Sequence, residues 1–136
     1  MAISLFSEVL AADQLVRSRL SRVLPKGMEI SHFSVLNHLA WHGGEKTPAQ
    51  LAEVFGLTRG AMTNTLSRLE AAGHVHIRPD WDDARRKLVA LSPAGLRARD
   101  EAFAAVAPVF SEVVDQIGAD NIRAATRVLR ALRAGL

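Results

Sequence analysis

The chain has 136 residues, of which 49% are hydrophobic and 23% are charged. This length and balance predict one folded globular domain rather than a disordered chain. The sequence has no cysteine, which excludes disulfides, thiolate metal sites, cysteine catalysis and thiol redox sensing. No apolar run approaches the roughly 20 residues that cross a bilayer, and no signal peptide is recognisable. We therefore expect a cytoplasmic protein without a membrane partner.

The net charge of +3 hides an uneven distribution along the chain. Residues 58–99 carry eight basic and four acidic side chains, whereas residues 100–117 carry four acidic side chains and no basic one. Of the 17 basic residues, 14 are arginine, the side chain that binds phosphate with two parallel hydrogen bonds. A basic segment of this kind favours a surface that binds a polyanion.

The first half of the chain is predicted to be helical. Apolar residues recur at helical spacing from Leu5 to Val23, and Pro25 ends this first helix. The hydroxyl of Ser31 can cap a second helix, which we expect to start there and to end at Gly43.

Two short helices follow. Thr47 and Gln50 have the spacing of a capping box and open a short helix that stops at Gly56. Thr58 can cap the next helix, which continues to Gly73. Two short helices separated by a glycine-containing turn indicate a helix-turn-helix.

The apolar pattern then changes from helical to alternating. Val75 and Ile77 share one face of a predicted strand, as do Val89 and Leu91 on a second strand. Between them lies the charged loop 79–86, so we predict a β-hairpin with a basic tip.

Two further helices are predicted to complete the chain. Ser92 can cap the first of them, Pro108 should kink or break it, and Gly118 should end it before a last helix. The predicted fold class is therefore mainly α with a small β-hairpin, a winged helix-turn-helix with additional helices at both ends.

The helix that Thr58 caps has a small, polar outer face if its apolar residues face inward. Apolar Met62, Leu66 and Leu69 lie on one side, and Asn64 lies on the other, where it can pair with an adenine edge in the major groove. The predicted DNA-binding residues of this helix and its cap are Thr58, Arg59, Gly60, Thr63, Asn64, Ser67 and Arg68.

The hairpin tip supplies the second predicted contact with DNA. Arg85, Arg86 and Lys87 can reach the neighbouring minor groove or its phosphates. Asp83 is expected to hold the loop in shape. Since acidic side chains that pointed at DNA would repel it, the acidic residues of the loop are expected to pair internally: Asp80, Asp82 and Asp83.

Two segments resemble the MarR family of bacterial transcriptional regulators. Residues 83–95, DARRKLVALSPAG, are similar to the D-x-R-x(5)-L-[ST]-x-x-G signature of the family's wing, and residues 57–73, LTRGAMTNTLSRLEAAG, are similar to its recognition helix. The resemblance implies one domain over residues 1–136. Within it, residues 31–99 would form the DNA-binding lobe, and residues 1–30 and 100–136 would form dimerisation helices.

The resemblance also implies a function. It predicts an obligate homodimer on a pseudo-palindromic double-stranded DNA operator, usually a repressor, that a small, often aromatic or phenolic anionic ligand releases. A second copy would cover the apolar stripes of the terminal helices. By the same resemblance an effector pocket lies between the dimerisation helices and the DNA-binding lobe. Its candidate residues are Arg17, His38, Trp41 and His42.

Other interpretations of these residues stay open. Trp41 can be a core residue and Arg17 a surface or dimer-interface charge. His38 and His42 lie one helical turn apart and could bind zinc in a metal-responsive regulator, but no further ligand has a convincing spacing, so we predict no metal and no cofactor. A helical protein-interaction module that no longer binds DNA is the other alternative. The sequence lacks the motifs of hydrolases, phosphate loops and dinucleotide sites, so we expect no enzyme activity.

Overall fold

The computed structural model describes all 136 residues and contains six helices and one two-stranded antiparallel sheet. The predicted class, mainly α with a β-hairpin, is confirmed. The elements in chain order are α1 (Ala2–Val23), α2 (Ile30–His42), α3 (Pro48–Phe55), α4 (Arg59–Ala71), β1 (Val75–Pro79), β2 (Lys87–Leu91), α5 (Pro93–Ile117) and α6 (Ala119–Gly135).

A single hydrophobic core joins the middle elements of the chain. Met62, Leu66 and Leu69 of α4 are buried in it, as the helical pattern predicts. The hairpin register pairs Ile77 with Val89, and Val89 is fully buried in the same core. The remaining buried residues of this core are Val35, Leu36, Leu39, Leu51, Ala52 and Val75.

Local capping signals explain where α3 and α4 begin. The Thr47 hydroxyl accepts a hydrogen bond from the Gln50 N–H at 3.1 Å, and the Gln50 side chain accepts one from the Thr47 N–H at 2.9 Å. The Thr58 hydroxyl accepts from the Ala61 N–H at 3.1 Å. Between the two helices Gly56 has a φ of 62°, a left-handed conformation that glycine adopts without steric cost. The helix-turn-helix is confirmed.

The start of α2 differs from the prediction. The helix begins at Ile30 with Glu29 as its N-cap, not with Ser31. The Glu29 N–H donates to Nδ1 of His32 at 3.1 Å, so histidine fills the place that glutamate or glutamine usually has in a capping box. The Ser31 hydroxyl instead accepts a hydrogen bond from Thr65 of α4 at 3.3 Å.

Proline does not break α5. The helix runs without interruption from Pro93 to Ile117 with Pro108 inside it. A proline ring removes one backbone hydrogen bond, and the remaining bonds of this 25-residue helix hold its two halves together. Of the predicted kink or break at Pro108, the break is therefore wrong.

The start of α5 is tied closely to the end of α4. The Ser92 hydroxyl donates to the Gly73 carbonyl at 2.7 Å and accepts from the Gly95 N–H at 2.9 Å. The Gly95 backbone lies so close to the His74 carbonyl that an added Cβ would be 1.9 Å from its oxygen. Because α5 starts within this contact and continues past residue 100, it rigidly joins the winged lobe, residues 31–99, to the rest of the chain.

The terminal helices have no buried residue of their own. Their large apolar side chains are exposed, among them Ile3, Leu5, Phe6, Leu10, Leu15, Val16, Val128 and Leu129. A hydrogen bond of 3.1 Å joins α6 to the end of α3, from the Arg133 guanidinium to the Val54 carbonyl. No single helix is long and apolar enough to cross a membrane. Helices α5 and α6 reach that length and apolar content only together, and the pair is bent by 104°.

Candidate nucleic-acid interface

The outer face of α4 is small, polar and uncharged at its centre. Gly60, Thr63, Asn64 and Ser67 are all exposed, on the side of the helix opposite its buried leucines. Sequence reasoning missed Thr65, which is buried and donates its hydroxyl hydrogen to Ser31. This bond joins the buried side of α4 to the start of α2.

A basic cleft lies beside this face, between the starts of α3 and α4 and the wing. Its volume is about 500 Å³, and four of its eight lining residues are basic while none is acidic. Arg59 and Thr63 contribute from α4, and Lys87 contributes from β2. The full lining is Thr47, Pro48, Ala49, Arg59, Thr63, Arg85, Arg86 and Lys87. A phosphate group in this cleft would meet cations and hydroxyls and no lining carboxylate.

Two of the predicted DNA-binding arginines are engaged with partners inside the protein. The Arg86 guanidinium donates to Oδ2 of Asp80 from Nη2 at 2.7 Å and from Nε at 3.2 Å. The Arg68 guanidinium donates from Nη1 to the Glu29 carboxylate at 3.1 Å. The partner of Arg86 lies six positions away and that of Arg68 lies 39 positions away, and both arginine side chains keep 56% exposure. Contact of Arg86 and Arg68 with DNA therefore stays a prediction.

Asp80 is the centre of the wing loop. It is only 7% exposed, and its Oδ1 accepts from the Asp82 N–H at 3.0 Å. Its own N–H donates to the Arg86 carbonyl at 3.0 Å. Hydrogen bonding from Arg86, followed by that from the Asp82 backbone, lowers the pKa of Asp80 below its ordinary value. The carboxylate thus stays charged and closes the loop.

Arg85 lies at the wing tip. Its side chain is 91% exposed and contacts only Asp83, whose Oδ1 accepts from the Arg85 Nε at 3.2 Å and from the Arg85 N–H at 3.1 Å. Asp83 thus has the contacts expected of a residue that shapes the loop. Asp80 and Asp83 are paired internally as predicted, whereas Asp82 forms no ion pair.

Sequence reasoning also missed an anchor of the wing. The Arg78 guanidinium binds both oxygens of Glu45 at 2.8 Å each, and this hydrogen bonding raises the pKa of Arg78. Lys46, next to Glu45, forms an antiparallel bridge with Val89. The segment before α3 therefore pairs with β2 of the hairpin. The alternating pattern of β1 indicates that Arg78 points away from the core. It does not identify the partner, because Glu45 lies 33 positions away in sequence.

A second cavity lies between the start of α2, α4 and the start of α5. Its volume is about 420 Å³. The lining combines cationic and apolar groups, and consists of Pro25, Lys26, Gly27, Met28, His32, Arg68, Leu69, Ala72, His74, Ala98 and Glu101. Arg68 and Leu69 are the residues that the recognition-helix candidate α4 contributes to this cavity.

His32 is the buried polar group of this cavity wall. Since its Nδ1 accepts from Glu29, its neutral form carries the proton on Nε2, which is buried without a partner. Burial, with Arg68 and His74 adding to it and Glu29 opposing, lowers the pKa of His32. The imidazole is therefore neutral near pH 7.

None of the four predicted effector-pocket residues lines this cavity. Arg17 forms an ion pair with Asp13 one turn earlier in α1, at 3.0 Å, and Trp41 is 79% exposed. The His38 and His42 rings lie 4.3 Å apart on α2. The pKa of His38 is lowered by burial, with smaller contributions from His42 and Lys46. No group of three or more histidine or acidic side chains is arranged to hold a metal ion.

Comparison with known proteins gives relatives for both the sequence and the fold. The sequence profile of the MarR family matches residues 26–86, while a search of curated proteins finds no match. The transcriptional regulator BldR from Sulfolobus solfataricus has a similar structure with a TM-score of 0.87 and 20% identity, over 99% of this chain and 96% of that one.

Two further solved structures resemble this chain over nearly their whole length. A mutant of MarR from E. coli in complex with operator DNA has a TM-score of 0.80 and 25% identity, over 96% of this chain and 94% of that one. BpsR from Bordetella bronchiseptica, whose DNA binding is regulated by 6-hydroxynicotinic acid, has a TM-score of 0.81 and 18% identity, over 95% and 98%. The profile match over residues 26–86 and the shared winged fold show that this chain is similar to the MarR family.

Proposed function

We propose that this protein is a homodimeric regulator of transcription that binds double-stranded DNA in a sequence-specific way. In this proposal α4 enters the major groove, and the wing reaches the adjacent minor groove. Two copies contact a pseudo-palindromic operator in the cytoplasm and act as a repressor until a small ligand releases them. The resemblance of the whole fold to MarR in complex with operator DNA supports this mode of binding.

The observation that carries the proposal is the position of the uncharged face of α4 next to the basic cleft. Thr63 belongs to both surfaces, so a duplex that meets one also meets the other. We assign base contacts to Gly60, Thr63, Asn64 and Ser67, because short side chains let a helix approach base edges. Phosphate contacts are assigned to Thr58, Arg59, Arg68, Arg85, Arg86 and Lys87.

The exposed apolar faces of α1 and α6 support the dimer. Neither helix has a buried residue, and an exposed apolar surface of this extent is typical of an interface. A two-fold pairing of these helices would bury their apolar faces and hold the two winged lobes at a fixed spacing. Two copies of α4 would then lie about one DNA turn apart. We propose the domain division given by the sequence, with α5 as the element that joins its two parts.

The cavity of about 420 Å³ between α2, α4 and α5 is our proposed effector site. Lys26 and Arg68 would attract an anion, and Met28 and Leu69 provide apolar walls for a flat ring. A ligand carboxylate here competes with Glu29 for Arg68 of α4. Occupation of the cavity would therefore favour a different position of the DNA-contacting helix.

The test of DNA binding is a selection of bound duplexes from a random pool, followed by affinity measurements across a range of salt concentrations. Several phosphate contacts should give a steep decrease in affinity with salt. Arg85→Ala should reduce the slope by about 1. Arg97→Ala, which removes the same charge from an exposed position on α5, is the matched control and should leave the slope unchanged. A flat salt profile of the unaltered protein would instead favour the protein-interaction module.

A further inference from the structure

The wing tip exposes an aromatic side chain as well as a cation. Trp81 is 77% exposed, and it directly follows Asp80, whereas Arg85 directly precedes Arg86. Since the Asp80 N–H donates to the Arg86 carbonyl at 3.0 Å, Trp81 and Arg85 flank the same closing pair of the loop. Both side chains therefore extend from the same end of the hairpin.

Trp81 is held by a fixed partner on one side of its ring. The Arg78 guanidinium carbon lies 5.3 Å from the ring centroid, a cation–π distance. Arg78 cannot swing away freely, because it binds both Glu45 oxygens and donates from Nη1 to the Pro79 carbonyl at 2.9 Å. The indole is thus oriented before any partner binds, and most of its surface stays in contact with water.

Packing within the chain does not account for this exposed indole. Leaving a large apolar surface in water is unfavourable, and Trp81 contributes nothing to the buried core. The charged groups near it are of both signs, because Arg78 is paired with Glu45 and Arg85 with Asp83, and Asp82 follows Trp81 directly. A partner that satisfies the exposed ring must therefore offer it an apolar edge.

We propose that Trp81 contacts DNA through the deoxyribose edge of the groove that Arg85 enters. This inference rests on the proposed function. The C–H groups of deoxyribose provide that apolar surface, and a neighbouring phosphate can bind Arg85. Trp81 then adds affinity without adding a charge, since the indole packs against sugar while Arg85 binds phosphate.

The chain contains only two tryptophans, so each can be observed separately by fluorescence. Trp41→Phe leaves Trp81 as the single emitter, and Trp81→Phe leaves Trp41, which is equally exposed but lies on α2. Each protein is saturated with a selected duplex of about 30 base pairs, long enough for two half-sites. We expect quenching of Trp81 by acrylamide to fall at least about 2-fold on saturation, because the bound sugar covers the ring. Quenching of Trp41 should stay the same.

Affinity gives the second measurement. Trp81→Ala should weaken binding about 5-fold with no change in the salt slope, since apolar area is lost and no phosphate contact is lost. Trp81→Phe should recover part of that loss, and Trp41→Ala should bind normally. Equal quenching of free and bound Trp81, or normal binding by Trp81→Ala, would overturn this inference and leave the proposed function intact. Failure of the unaltered protein to bind any duplex would overturn both.

Discussion

Replacement of Gly95 by alanine tests how rigidly α5 is joined to the winged lobe. An added Cβ would lie 1.9 Å from the His74 carbonyl oxygen and 2.8 Å from a methyl of Leu91, whereas real Cβ contacts are essentially never under 3.0 Å. The start of α5 must therefore move by about 1 Å. The obstacle is backbone, so no side-chain rotation relieves the contact with His74.

The size of the effect follows from these contacts. Overpacking of this kind costs about 1–3 kcal/mol. The same displacement strains the hydrogen bonds of Ser92 to Gly73 and Gly95, each worth about 1 kcal/mol. We expect Gly95→Ala to lower the free energy of unfolding by about 2–4 kcal/mol. For a chain of this length that corresponds to a decrease in Tm of roughly 10 °C.

Urea unfolding and a thermal scan, both at one fixed protein concentration, measure this change. Gly60→Ala is the matched control, because an added Cβ at Gly60 meets nothing within 4 Å and alanine is a better helix former than glycine. Its stability should stay the same or increase by up to about 1 kcal/mol. A Gly95→Ala protein within about 0.5 kcal/mol of the unaltered chain would refute the contact.

The remaining predictions concern three side chains. Asn64→Ala should change base preference at one position of each half-site by roughly 1–3 kcal/mol, as seen in a repeated selection; uniform weakening on all sequences would make Asn64 a phosphate contact. Arg86→Ala should make the wing loop more sensitive to limited proteolysis than Arg85→Ala does, because only Arg86 binds the buried Asp80, and equal sensitivity would contradict this role. The pKa of His32 is lowered below its ordinary 6.5 by burial, so the unfolded chain binds a proton first and stability should fall as the pH drops below about 6.5. His32→Gln, which keeps a capping acceptor, should remove that part of the pH dependence of the unfolding free energy, whereas an unchanged profile would assign it to other groups.

The sequence predicted the parts of the fold that depend on neighbouring residues. Thr47, Thr58 and Ser92 cap their helices as expected, because each partner lies three positions ahead. The cap at Ser31 was wrong since His32 can serve as the reciprocal acceptor, a use of histidine that the usual capping pattern does not contain. The correct caps and the wrong one all depend on residues within three positions of one another in sequence.

The candidate site was predictable to a smaller degree. The buried and exposed faces of α4 followed from its periodicity. The ion-pair partners of the arginines did not follow from any local pattern. Arg68 is bound by a carboxylate 39 positions away, and Arg78 by one 33 positions away. Such partners appear only when the chain has folded, and a count of basic residues cannot distinguish a free arginine from one that is occupied.

The pairing of Arg85 with Asp83 makes the proposed contact with DNA an exchange of partners. A phosphate that reaches Arg85 has to displace a carboxylate already 3.2 Å from its Nε, so a brief encounter with arbitrary duplex gains little from this cation. The displaced Asp83 still accepts the backbone N–H of Arg85. The loop therefore keeps its shape while the Arg85 guanidinium exchanges Asp83 for a phosphate. In the proposed complex, Arg85 therefore binds a phosphate only where the duplex brings that phosphate close enough to replace Asp83.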